Sequence, residues 1–136
     1  MSIAKPTTPE HLPEYNVYLR DCPARLVFDR MADKWALLVI RRLSNAPLRF
    51  NQLKREIDGI SQKVLTQTLR KLERDGLVGR KVFATVPVTV EYSLTALGRT
   101  LFELIEPLAQ WAQSHIDVVL DAQRTYDCRA AVDEAA

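Results

Sequence analysis

Apolar positions recur along most of the chain at spacings of three and four, and between Leu77 and Leu94 the pattern shifts toward alternation. Pro23, suited to the first turn of a helix, opens a stretch in which Leu26, Val27 and Met31 lie on one side through Ala32. Asp33 resembles an N-cap, so a second helix is expected from about Lys34 to Leu43. It would bury Trp35, Leu38, Val39 and Leu43 or their neighbours, and Asn45-Ala46-Pro47 would end it. A short third helix is expected at roughly Arg49 to Ile57, with Phe50, Leu53 and Ile57 on its inner face. Gly59-Ile60-Ser61 then makes a tight connection, Gly59 being free to adopt a left-handed conformation and Ser61 able to cap the next helix.

The fourth helix, about Ser61 to Asp75, separates its residues most cleanly. At about 100° per residue Leu65, Leu69 and Leu72 share one side, while Lys63, Gln67, Arg70 and Arg74 share the opposite one, flanked by Gln62 and Thr66. Gly76 closes it. Leu77 to Ala84 and Val88 to Leu94 are rich in Val, Phe, Tyr and Thr, and they predict a two-stranded hairpin turning at Thr85-Val86-Pro87. In its second strand Val88, Val90 and Tyr92 alternate with Thr89, Glu91 and Ser93, which predicts two unlike faces. The expected fold class is therefore mainly α with a small β-hairpin: a helix-turn-helix followed by a β ribbon, or wing.

Thr95 is placed to cap a long final helix reaching about Arg124, with a kink expected at Pro107. Leu97, Leu101, Leu104, Leu108, Trp111, His115 and Val118 come in steps of four and three, and Ile105, Ala112, Ile116 and Val119 widen the stripe. That is more apolar surface than one small helical core needs. Leu101, Leu104, Leu108, Trp111, His115 and Val118 are therefore the candidate interface of a homodimer. Residues 1–13 carry Pro6, Pro9 and Pro13 among polar residues and are expected to be a flexible extension. Residues 128–136 are expected to be a flexible tail, leaving 14–127 as the folded domain.

Composition narrows the function. A chain of 136 residues with 47% hydrophobic content can bury one core without metal or disulfide staples. The apolar run at Ala36 to Ile40 is far short of the roughly 20 residues that cross a bilayer, and no apolar signal core opens the chain, so a cytoplasmic protein without a membrane partner is expected. Cys22 and Cys128 form no CxxC pair, and neither His11 nor His115 has a second ligand four residues further on, which predicts no metal and no cofactor. No GxSxG, phosphate-cradling glycine loop or HExxH is present, so an enzyme is not expected. The net charge of +2 hides an asymmetry. Residues 41–81 hold eleven basic and four acidic side chains, a net of +7, and the remainder carries −5. A basic centre between acidic ends suits a surface that meets a polyanion.

Long hydrogen-bonding side chains on the outer side of the fourth helix are what base edges in a major groove require. Lys63, Gln67 and Arg70 meet that need. Arg49, Ser61, Gln62 and Thr66 cluster near helix amino ends, where backbone N–H groups also favour an anion, and they are candidates for phosphate contacts. Arg80 and Lys81 are candidates from the wing. Arg74 stands between a DNA contact and a pairing with Glu73 or Asp75. Cys22, just before Pro23 and between Arg20 and Arg25, is a redox-sensing candidate, opposed by Asp21. Trp35, Phe102 and Trp111 are either core residues or the lining of a small-molecule effector pocket.

Several segments together resemble the HxlR family of winged helix-turn-helix regulators, relatives of the MarR group. They are Cys22-Pro23, Lys34-Trp35-Ala36-Leu37-Leu38, Leu48 to Leu53 with Ile57, Gly59-Ile60-Ser61, Leu65-Thr66, Leu69 to Val78, and Pro87 to Thr95 with Gly98. Met31-Ala32-Asp33 departs from the glycine pair usual before Lys-Trp. The resemblance implies a homodimer joined through terminal helices and a transcription factor, often a repressor, binding a pseudo-palindromic double-stranded DNA operator. It also implies a response to small molecules or to oxidative stress, with a cysteine at the position of Cys22 serving some members as a switch. The alternative is a winged-helix module that binds protein without DNA.

Overall fold

The computed structural model describes residues 15–135; the extension expected at 1–13, with His11, lies outside the described residues. In chain order the elements are α1 (Arg25–Met31), α2 (Lys34–Leu43), β1 (Leu48–Arg49), α3 (Phe50–Glu56), α4 (Gln62–Arg74), β2 (Val78–Phe83), β3 (Thr89–Leu94) and α5 (Ala96–Ala135). Asp33, in extended conformation, accepts a hydrogen bond from the Trp35 amide at 2.9 Å and so starts α2 where the sequence places it. Ala36, Val39, Ile40 and Leu43 are its buried residues, whereas Leu38 is 41% exposed. Val39 and Leu43 are thus inside as expected and Trp35 packs against the core, while Leu38 turns outward.

The Ser61 side chain accepts from the Val64 amide at 3.1 Å and starts α4. At the far end Gly76 takes a φ of +77°, its amide donates to the Glu73 carbonyl, and the Leu77 amide donates to the Leu72 carbonyl, both at 3.0 Å. This paired closure satisfies the last carbonyls of α4 and turns the chain into β2. Leu65, Leu69 and Leu72 are almost wholly buried and join Val39, Ile40, Leu43, Leu53, Val78 and Ile105 in one core. Burying a side chain of this size contributes about 1.5–3 kcal/mol, so the three leucines fix which side of α4 faces out.

Two sequence expectations are corrected. The β structure is a three-stranded antiparallel sheet in the order β1-β3-β2, not a two-stranded hairpin alone, because Leu48 and Arg49 pair with Tyr92 and Glu91. β3 is therefore the central strand and is half-buried at every position instead of having one dry and one wet face. The last helix continues past Arg124 to Ala135, through the segment expected to be a tail. After Pro107 the sequence holds no glycine or proline, and the last residues, Arg129-Ala130-Ala131-Val132-Asp133-Glu134-Ala135, include strong helix formers in alanine, arginine and glutamate. Pro107 lies inside α5 without interrupting it.

Ion pairs tie the helices together. Arg30 of α1 holds Asp75, the residue that ends α4, with Nε 2.5 Å from Oδ2 and Nη2 3.4 Å from Oδ1. The two side chains are 17% and 10% exposed, dry enough for the pair to matter. Arg41 of α2 binds Glu106 of α5 at 2.7 Å; hydrogen bonding from Arg41 holds the Glu106 carboxyl below its ordinary range. Replacing Arg30 by Met, which keeps the apolar stem and leaves Asp75 without its partner, is expected to destabilise the fold by about 2 kcal/mol. Urea denaturation reads this directly, and an unchanged midpoint would show the pair to be merely superficial.

Candidate nucleic-acid interface

The two halves of the helix-turn-helix are α3 and α4, joined through Gly59, which has a φ of +87° and lies against the Trp35 ring. With three leucines anchoring one side of α4, Lys63, Gln67, Arg70 and Arg74 are all exposed on the other. Ser61 and Gln62 are exposed at its amino end, and Thr66 is half-buried. Neither Lys63 nor Arg70 has an ion-pair partner among the described residues. Asp75 is occupied by Arg30, so one of the two partners considered for Arg74 is already taken.

Internal pairing leaves the positive surplus intact. Within residues 41–81 Arg41 is neutralised by Glu106, Asp75 by Arg30, and Arg42 and Glu56 neutralise each other. Nine basic and two acidic side chains of that segment remain unpaired among the described residues, again a net of +7. Charge that is not consumed inside the fold is what a phosphate backbone meets.

The sheet separates two residues that adjoin in sequence. Successive strand residues point to opposite faces, and Arg80 is opposite Tyr92 while Lys81 is opposite Glu91. Arg80 and Tyr92 line a cleft of about 420 Å³ together with Phe50, Gln62, Thr66 and Arg70. Glu73 also reaches this cleft. Sequence reasoning missed it, although it stands three residues after Arg70, a spacing that brings helix side chains together. Lys81 belongs to the other face, with its Nζ 5.0 Å from the centre of the Phe83 ring, and Arg49 enters that face from β1. The structure thus joins Gln62, Thr66, Arg70 and Arg80 on one side of the wing and Arg49 and Lys81 on the other. At the tip Val86 and Val88 are exposed, and the Thr85 hydroxyl donates to the Pro87 carbonyl at 2.7 Å.

Cys22 is buried and Cys128 exposed, both as free thiols. The first helical residue is Arg25, not Pro23, so Cys22 lies three residues before the helix rather than immediately before it. Arg25 also turns its guanidinium to the Val17 and Tyr18 carbonyls, at 2.7 and 2.8 Å.

Along α5 the apolar stripe divides. Ile105 is buried and Leu101 half-buried against the core, but Leu104, Leu108, Trp111 and Val118 are 71%, 52%, 54% and 65% exposed. His115 is exposed too, stacked on Trp111 with ring centres 4.6 Å apart and its Nδ1 2.9 Å from the Trp111 carbonyl oxygen. Beside the stripe an apolar groove of about 380 Å³ opens between α1 and α5, lined by Leu26, Val27, Leu77, Leu97, Leu101 and Leu104. The three aromatic candidates for an effector pocket are dispersed: Trp35 packs on the core, Phe102 faces a cleft beside Leu38 and Glu106, and Trp111 stands on the exposed part of α5.

Among the described residues no helix is long and apolar enough to cross a membrane. A sequence model of the HxlR-like helix-turn-helix family matches residues 30–119. The chain is 38% identical over 111 residues to the HTH-type transcriptional regulator YtfH of Escherichia coli K12, covering 82% of this chain and 88% of that protein. Its fold is similar to the transcriptional regulator ytfH from Salmonella typhimurium, with a TM-score of 0.75 at 38% identity over 82% of this chain and 99% of the other. It is also similar to the redox regulator HypR in its reduced form, with a TM-score of 0.68 at 37% identity over 73% and 98% of the two chains. With the winged helix-turn-helix, the outward basic face of α4 and these matches in agreement, the chain belongs to the HxlR-like family of DNA-binding transcriptional regulators.

Proposed function

We propose that the protein is a homodimeric, sequence-specific repressor that lays α4 in the major groove of a pseudo-palindromic operator. The observation that carries this reading is the exposure of Lys63, Gln67 and Arg70 on one side of a helix whose opposite side is locked into the core by Leu65, Leu69 and Leu72. Gln67 is suited to adenine and Arg70 to guanine through paired hydrogen bonds. Ser61, Gln62, Thr66 and Arg80 contact phosphates from one side, and Arg49 and Lys81 from the other. Leu104, Leu108, Trp111, His115 and Val118 pack against a second copy, with Leu101 at the edge of that contact.

An operator is first selected from randomised duplexes by the wild-type protein. Gln67→Ala and Arg70→Ala should then each lose about 1–3 kcal/mol of affinity and relax preference at one or two base pairs. Unchanged affinity with unchanged preference for both variants would remove α4 as the reading element. A module that binds only protein would retain no duplex even at low salt.

Occupancy of the operator is switched by oxidation of Cys22 or by a small molecule. The redox reading is supported by similarity to HypR, a redox regulator known in reduced and oxidised forms. Because Cys22 is buried, oxidation has to come after opening of the turns that precede α1. Diamide should release operator from the wild type and leave Cys22→Ser bound; equal release would take Cys22 out of the switch.

A further inference from the structure

Glu91 occupies an unexpected position for a carboxylate on a DNA-facing surface. It stands on the central strand of the sheet, directly opposite Arg49 of β1 and directly opposite Lys81 of β2. Opposed residues of antiparallel strands share a face, with Cβ atoms about 4.5–5.5 Å apart, so one carboxylate is within reach of two cations. Glu91 is half-buried, whereas Arg49 and Lys81 are exposed. None of the three forms an ion pair among the described residues. Lys81 instead lies over the Phe83 ring, which keeps its ammonium along the strand. The same face opens into a cleft of about 350 Å³ between Arg49 and the wing tip, walled by Phe83, Thr85, Pro87 and Glu91.

We propose that Glu91 is a positioning residue that competes with DNA phosphates for Arg49 and Lys81 and thereby sets the strength of duplex binding. This rests on the assignment of Arg49 and Lys81 to phosphate contacts. In the free protein both cations lie in the field of one carboxylate. In the complex they turn to phosphates, and their attraction to the carboxylate is lost. That loss lowers affinity. Because phosphates are alike in every sequence, the reduction applies to any duplex, and the choice between sequences stays with α4. Being an interaction of partly exposed charges, it weakens as salt rises.

The test uses Glu91→Gln, which keeps the shape and removes the charge. Two probes are titrated: a random-sequence duplex of about 30 base pairs, room for two half-sites, and a duplex selected by the wild-type protein. Thermal melting monitors the fold. Glu91→Gln should bind both probes roughly fivefold more tightly at low salt, the scale of one unit charge a few ångströms away in water, with a smaller gain at high salt. In an Arg49→Gln/Lys81→Gln background the same substitution should change affinity little. A purely structural role for Glu91 cannot produce tighter binding. Unchanged or weaker binding by a normally folded Glu91→Gln protein overturns the proposal. So does an equal gain in the background lacking both cations, which would mean that the carboxylate acts on DNA directly. Failure of the wild type to retain either duplex would overturn the DNA-binding reading itself, and this inference with it.

Discussion

Gly98→Ala is expected to destabilise the protein by about 3 kcal/mol, in a helix where such a change ordinarily gains about 1 kcal/mol. Gly98 lies in the first turn of α5, and a Cβ added there would overlap the Leu77 carbonyl oxygen and sit 3.2 Å from Leu94 Cδ2. The carbonyl cannot yield cheaply, because it accepts the Thr95 amide at 3.1 Å. Thr95 in turn donates its hydroxyl to the Gly76 carbonyl at 2.6 Å and accepts the Gly98 amide at 3.0 Å. One methyl group therefore disturbs the start of α5, the end of α4 and the start of β2 together. Urea denaturation at matched protein concentration measures the effect, with a fall in melting temperature of roughly 10 °C as its companion. A stabilised Gly98→Ala protein would mean that α5 does not approach Leu77 so closely.

Trp111→Glu and Leu104→Glu are each expected to convert the proposed dimer to a monomer and to weaken operator binding about 100-fold. Neither side chain supports the core of its own subunit, since both are more than half exposed. Their replacement should leave the winged core folded while placing a charge in the apolar contact between copies. A monomer engages one half-site at a time and loses the high effective concentration of the second. Sedimentation velocity reads the mass, and titration of a selected duplex reads the affinity. Persistence of a dimer in both variants would move the interface away from the α5 stripe.

The parts of this fold legible in the sequence are those governed by local rules. The N-cap at Asp33, the cap at Ser61, the closure at Gly76 and the leucine side of α4 each depend on residues within one or two helical turns. What escapes the sequence depends on distance along the chain or on elements too short for a period. β1 is two residues long, and only its pairing with Tyr92 and Glu91 makes it a strand. Arg30 and Asp75 are 45 positions apart, so no spacing rule joins them. Pro23 is a reasonable helix start, but the chain makes one more turn before Arg25, so Cys22 lies three residues ahead of the helix, in a buried position. The opposite faces of Arg80 and Lys81 are legible from strand alternation alone, and grouping them as one basic pair overlooks it. The extension of α5 to Ala135 is legible too, in the absence of any stop signal after Pro107.

The most direct measurement is a titration of isotope-labelled protein with its selected duplex, monitored by amide NMR. Shifts should concentrate at Ser61 to Arg70 and on the wing, with Leu104 to Val118 of α5 little affected. Shifts confined to α5 or to the α1 groove, with α4 silent, would contradict the account.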